Sequence, residues 1–348
     1  MRFKGFSLVT LCVILTALPG CDNVEWGGLE MELRPPEPPP SALVEVEAEG
    51  DAEERPLEPL ALGPLVYLAE RSGDEARMIP VAEWRDGAYH ALPDEEDTPD
   101  LVERFPLDRW DDGTEFVLLH RGFRAGTLIA DGSVERDEAT CLVRPAGMGR
   151  VELRGAATNA TRFVAVRKAD IDAGLLPGWA LRSGTFPDPI AATPLREAAL
   201  SVGRYLIPRA EIPWPPSIPD ILDDQRQIGD VAGFPALATT FVFGDAPEVG
   251  RAMQSAYAFL ALARDDGDGW SPFWLWYQSV SDSKAVPRVL ASGPVIDERA
   301  PELILEIFGA ETRGLAILGA RGEDADWSLQ YRDACAPAPA SGAARAWP

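Results

Sequence analysis

Lysine, asparagine and histidine are nearly missing from this chain. Beyond residue 20 the only lysines are Lys168 and Lys284, asparagine occurs only at Asn23 and Asn159, and the histidines are His90 and His120. Two histidines in separate segments, with no HExxH pattern, leave little material for a histidine-based metal centre. Glycine signatures are missing too. Without a P-loop, a Rossmann turn or a GxSxG elbow, neither nucleotide binding nor α/β-hydrolase chemistry has support in the sequence. The stretch of low polarity from Phe6 to Leu18 is short of the roughly 20 residues that a membrane-spanning helix needs. Positive charge is in deficit: 32 Lys and Arg against 56 Asp and Glu give a formal charge of −24. Such a surface repels phosphate backbones and anionic headgroups, so nucleic acid is excluded as a partner, and so is electrostatic docking to membranes. A GC-rich genome and adaptation to high salt both account for an acidic, Lys-poor composition.

The N-terminus is built from what the rest lacks. Met1-Arg2-Phe3-Lys4 carries two positive charges, the apolar stretch follows, and Leu18-Pro19-Gly20-Cys21 closes the segment. That order is the order of a secretory signal. The last four residues resemble the lipobox of bacterial lipoprotein precursors. The resemblance implies that residues 1–20 are removed, that Cys21 carries acyl chains including palmitate, and that the protein is held on the exported side of a bacterial membrane. The alternative is an ordinary signal peptide in which Cys21 is incidental. Removing Arg2 and Lys4 with the signal shifts the charge from −24 to −26. Two acyl chains give a stable anchor where one is marginal.

Residues 21–64 read as a tether. Pro35, Pro36, Pro38, Pro39 and Pro40 favour extended polyproline geometry, and the run Glu45, Glu47, Glu49, Asp51, Glu53, Glu54 repels itself. With 46% hydrophobic residues and ten tryptophans, the remainder has the material for real cores. Its length suggests two domains. Short apolar runs separated by turns such as Asp86-Gly87 and Asp131-Gly132 mark residues 65–171 as a β domain. The runs are Leu65–Glu70, Met78–Trp84, Ala88–Leu92, Glu115–His120, Thr127–Ala130, Thr140–Val143, Arg150–Arg154 and Phe163–Arg167. Residues 172–235 read as a mixed, Pro-rich connection. A helix is expected near 194–207, with Leu195, Ala198, Val202 and Leu206 on one face and an end at Pro208. Trp214, in Pro213-Trp214-Pro215-Pro216, is expected to pack into a seam between domains. Residues 236–335 return to strands, and 336–348 are expected to form a disordered, Ala/Pro-rich tail. The fold class expected is therefore mainly β, with two antiparallel sandwich- or barrel-like domains and one short helix between them.

Cys141 and Cys335 make an even pair in an exported chain, and a disulfide between them is expected. It would close a loop of about 195 residues, which the chain-entropy model values at up to roughly 5 kcal/mol. Two buried free thiols are the alternative. Asp265-Asp266-Gly267-Asp268-Gly269 has the oxygen ligands and glycines that calcium requires, so Asp265, Asp266 and Asp268 are candidate metal ligands. The EF-hand pattern fails, with Arg264 at its first ligand position and Leu275 in place of its closing acid. Asp-Gly turn chemistry between two strands is the competing reading. Trp270, Trp274 and Trp276 are candidate sugar-stacking residues. Against that, Trp274 and Trp276 share one strand face while Phe273, Leu275 and Tyr277 share the other, the pattern of a strand buried on both sides. Asp297, Pro301, Glu302 and the apolar run that follows resemble the Asp-rich loop and strand of integrin-like and VCBS-type β repeats. The similarity spans residues 256–318 and implies a β-rich module whose loop no longer binds metal.

These features point to a lipid-anchored, periplasmic or surface-exposed envelope protein. A non-enzymatic binding or assembly module, with protein or glycan as ligand, fits them best. A carbohydrate-active enzyme using paired carboxylates and exposed tryptophan, and a calcium-stabilised scaffold, are the alternatives.

Overall fold

The computed structural model describes residues 58–348 except 96–97, 99, 106, 178–188, 280–282, 298–299 and 322–325. Cys21, the signal and most of the tether lie outside the described residues. The chain is mainly β, with 50% of residues in strands and 13% in helices, and it includes a six-stranded barrel. All strand pairs are antiparallel, as the short runs and tight turns required.

The first seven strands are β1 (Leu65–Ser72), β2 (Glu75–Arg85), β3 (Ala88–His90), β4 (Glu115–His120), β5 (Phe123–Asp137), β6 (Arg144–Leu153) and β7 (Arg162–Arg167). They run in the order β1-β7-β4-β5-β6-β2, β1 pairs with β2 to close the barrel, and β3 extends β2 outside it. Closure removes the free edges that an open sheet would expose. Alternation along the strands fills the interior with Leu65, Tyr67, Phe116, Leu118, Phe163 and Ala165. Trp110 fits only because residue 147 is glycine: a Cβ there would lie 2.1 Å from the indole. The opposite faces of β1, β4 and β7 are also apolar, through Val66, Leu68, Val117, Leu119, Val164 and Val166. A barrel wall of that kind needs a second layer outside it.

That layer is a four-stranded sheet, β12 (Val286–Gly293), β13 (Glu302–Phe308), β14 (Arg313–Arg321) and β15 (Asp326–Arg332), paired in chain order. Its Ile304, Leu315, Ile317 and Tyr331 join the barrel residues in one apolar cluster. From its other face Leu303, Leu305, Ile307, Ala316 and Leu318 meet a five-stranded sheet. This comprises β8 (Leu222–Val231), β9 (Phe234–Phe243), β10 (Tyr257–Asp265), β11 (Trp270–Ser279) and β16 (Ala344–Ala346), in the order β16-β11-β10-β9-β8. Beyond it a helix over Ala192–Arg209 and a short one over Ile218–Ile221 close the stack on Leu237, Phe241, Phe259 and Leu275. Gly203 of the long helix allows the approach, since a Cβ there would lie 2.8 Å from the Phe241 ring. The described residues thus belong to one compact unit, in which both halves of the chain share a core.

Several expectations need correction. Thr140–Val143 is not a strand but the connection between β5 and β6. Asp131-Gly132-Ser133 is not a turn between strands; it is a bulge inside the 15-residue β5, with Asp131 Oδ1 accepting from the Ser133 amide at 2.9 Å. The segment read as a connection contains β8, and the tail expected to be disordered adds β16, which pairs with Trp274–Trp276 of β11. The helix runs through Pro208, which sits in its last turn, to Arg209. Trp214 is 62% exposed, although Tyr257 pins the chain beside it by donating to the Pro213 carbonyl at 2.8 Å.

Cys141 and Cys335 are bonded, with Cα atoms 6.0 Å apart and 194 positions of chain between them. The bond ties the β5–β6 connection of the barrel to the segment after β15. Beside it, Asp333 is wholly buried and its carboxylate is fully used. Oδ1 accepts from Arg144 Nη2 at 2.5 Å and the Tyr331 hydroxyl at 2.6 Å, and Oδ2 accepts from the Leu315 amide at 2.7 Å. Breaking one side of a buried pair leaves an uncompensated charge. Asp333→Ala should therefore lower unfolding stability by about 3–5 kcal/mol in urea melts, against well under 1 kcal/mol if Arg144 were already satisfied without it.

Candidate functional site

Where the barrel, the five-stranded sheet and the four-stranded sheet meet, their packing leaves a cleft of about 190 Å³. The barrel contributes the turn between β4 and β5. There Arg121 (φ 47°) and Gly122 (φ 85°) both take left-handed conformations, as a two-residue hairpin demands. The Arg121 amide donates to the Ser292 carbonyl of β12 at 3.0 Å. From the other side β8 comes so close that Gly229 (φ 114°) could not carry a side chain: its Cβ would lie 2.9 Å from the Arg121 carbonyl. Arg226 and Gln227 of β8 line the opening just before a register shift between Gln227 and Gly229.

The polar lining is ordered. Gln227 Oε1 accepts from Arg121 Nη1 at 3.0 Å and from the Ile190 amide at 3.2 Å, which fixes its amide orientation. Arg226 Nε donates to Asp224 at 2.5 Å. His120 sits edge-on to Phe163, and its buried Nδ1 has no hydrogen-bond partner. Burial first, and then the Arg121 charge, push the imidazole pKa down to about 4, so the ring is neutral near pH 7. Ile190, Leu195, Ile228 and Leu290 supply apolar walls. The arrangement offers cationic donors at one place and hydrocarbon at another.

A second polar centre is enclosed between β3 and the four-stranded sheet. Glu302 is buried on the barrel side of β13 and accepts from the Val295 amide at 2.6 Å and the Ile296 amide at 3.1 Å. Arg321 lies 4.9 Å from the Trp84 ring centre and 5.3 Å from that of Tyr89. The buried Tyr89 hydroxyl makes no hydrogen bond within the described protein. Burial raises the Glu302 carboxyl to about 7, against the opposing pull of the two amides and Arg321. Between pH 4.5, its ordinary value, and 7 the folded state therefore holds a proton that the unfolded chain has released. Stability from this group falls as pH rises through that window. Relative to Glu302→Gln, the wild type should lose stability from pH 4.5 to 7 and then level off; a pH-independent difference in melting would contradict the assignment.

The residues singled out from the sequence do not assemble into a site. Asp265, Asp266 and Asp268 form the turn between β10 and β11, and their oxygens serve the turn itself. Asp265 accepts from the Gly267 amide at 3.1 Å, and Asp266 accepts from the Asp268 amide at 3.2 Å and the Ser271 hydroxyl at 2.7 Å. Among the described residues no three His, Cys, Asp or Glu side chains converge as metal ligands. Trp274 and Trp276 are 1% and 0% exposed, packed between the two sheets, so neither ring has a face for a sugar. A bulge where Leu262–Ala263 pairs with Trp274–Pro272 reverses the alternation of β11. It turns Phe273 to the Trp274 side, 5.4 Å from Trp327, and leaves Trp270 half-buried on the helix side. The three tryptophans therefore cannot form one platform. Conversely, nothing in the sequence marked Arg121, Arg226 or Gln227, in a chain where arginine is the default cation. The Arg121-Gly122 pair was a usable hairpin signal, less obvious than Asp-Gly.

Against family models, curated proteins and solved structures, the chain matches none.

Truncating a fully packed tryptophan removes contacts that the sheets cannot replace. Trp276→Ala should cost about 3–5 kcal/mol in chemical denaturation, while Trp214→Ala should stay within about 0.5 kcal/mol. Equal effects would mean that Trp276 is not a core residue.

Proposed function

We propose that this is a lipid-anchored cell-envelope protein whose folded unit acts as a non-enzymatic binding or assembly module on the exported side of a bacterial membrane. The observation that carries the reading is the sequence Leu18-Pro19-Gly20-Cys21 after a charged start and a short apolar run. The Pro/Glu segment behind it is suited to spacing a body from the bilayer. The disulfide supports an oxidising compartment, where such bonds persist. Burial of Trp274 and Trp276 favours a binding module over a glycosidase built on that strand, since the aromatic cluster is structural. No observation favours the calcium scaffold, because the Asp268 turn uses its own oxygens and amides.

The test is metabolic palmitate labelling with membrane fractionation of the wild type and Cys21→Ser. The wild type should be labelled and pellet with membranes, and the variant should lose both properties. An unlabelled, soluble wild type, or a variant that still pellets, would refute the anchor.

A further inference from the structure

The backbone bonds of β16 show which side of this short strand is used. The Ala343 carbonyl accepts from the Tyr277 amide at 2.8 Å, and the Trp347 amide donates to the Phe273 carbonyl at 2.9 Å, both on β11. Backbone groups alternate along an antiparallel strand, so those of Ala344 and Ala346 point away from β11. Because β16 is the last strand of its sheet, they form an unpaired edge. Side chains alternate too: Ala344 turns with Trp274 and Trp276 to the four-stranded sheet, and Trp347 turns to the helix side. On the helix side a cleft of about 520 Å³ separates β16 from the end of the helix over Ala192–Arg209. Tyr205, Arg209, Arg345 and Trp347 line it, and no Asp or Glu does, although acids outnumber Lys and Arg by 56 to 32 in the chain. Neither arginine is spent on a carboxylate among the described residues. Arg209 Nη1 donates to the Tyr205 carbonyl at 3.0 Å, and its guanidinium lies 3.8 Å from the Tyr205 ring centre. Neutral groups thus fix its position and leave its charge unbalanced. Arg345 is exposed and has no hydrogen-bond or ion-pair partner among the described residues.

We infer that the β16 edge binds an extended peptide with acidic residues at alternate positions. Its main chain pairs with the outward groups of Ala344 and Ala346, and its carboxylates face Arg345 and Arg209. A free edge beside a cleft is the arrangement that strand addition uses: main-chain bonds give affinity, and pockets for alternate side chains give specificity. Period-two alternation places the acids on the arginine side and turns the residues between them toward the four-stranded sheet, where apolar side chains suit the half-buried Leu329 of β15. A basic peptide would meet two like charges, and a polyanion without backbone donors would leave the edge unpaired. The inference deepens the binding-module reading by naming a partner class. It concerns the folded unit alone and does not require Cys21 to be acylated.

The experiment is fluorescence polarisation of the full-length protein in neutral detergent, titrated against a dye-labelled, capped (Val-Glu)3 peptide. Two further probes are (Val-Lys)3 and a (Val-Glu)3 N-methylated at every amide, which keeps the charge but cannot pair as a strand. The unmodified (Val-Glu)3 should bind, and methylation should weaken it by at least about tenfold through the loss of several main-chain bonds. Arg345→Glu should weaken it by roughly 10- to 100-fold, the value of a charge-assisted bond. Ala346→Pro deletes one outward amide while sparing the bonds to β11, and should weaken binding about fivefold. Both positions are exposed, so both variants should melt like the wild type. The inference is overturned if (Val-Glu)3 does not bind at about 1 mM, if the lysine or the methylated peptide binds as tightly, or if both variants bind like the wild type.

Discussion

The folded unit depends on a sheet with no free face. In β13 every residue from Glu302 to Phe308 is buried, with Leu303, Leu305 and Ile307 turned to the five-stranded sheet and Ile304 to the barrel. A four-stranded sheet in this position cannot separate from one neighbour without exposing an apolar surface to water. The barrel faces the same constraint in reverse, because β1, β4 and β7 carry hydrocarbon on both sides. Each layer is therefore incomplete alone. What the chain order suggests as two domains is held together by the same force that builds each of them.

Burial on this scale brings polar groups with it, and their satisfaction fixes how the layers meet. Glu306, on the barrel side of β13, is bracketed by Arg288 at 2.7 Å and Arg313 at 2.9 Å. Asp333 gathers Arg144, Tyr331 and the Leu315 amide next to the disulfide. Arg121 bonds to β12 through its amide and to β8 through its guanidinium, so the barrel is keyed to both sheets at once. Hydrophobic contact supplies attraction without direction; these directional bonds select one docking geometry. The cleft follows from that geometry, since three twisted surfaces meeting at one turn cannot fill the space between them.

The mainly β class, most strands and the helical stripe of Ala198, Val202 and Leu206 were legible because each is a local pattern. The run of Trp274 and Trp276 against Leu275 and Tyr277 was legible as a strand buried on both faces. Which layer covers which face was not legible, for it depends on contacts between residues more than a hundred positions apart. β8 escaped because Asp223, Asp224, Gln225 and Arg226 hide a strand that lies at a sheet edge with one side near water. The bulge at Phe273 has no local signature, yet it decides which tryptophans share a face. The site residues were the least legible, since arginine in an Arg-rich chain acquires meaning only from its neighbours in space.

In the proposed arrangement an anchor and an acidic spacer would set reach, and the disulfide-tied β body would present a fixed surface. The central claim beneath this is that the barrel and the two sheets are one cooperative structure. Differential scanning calorimetry of the oxidised protein tests it most directly. A single transition with equal calorimetric and van't Hoff enthalpies is the result the shared core predicts. Two resolved transitions, one for the barrel and one for the paired sheets, would show that the layers fold independently and contradict the account.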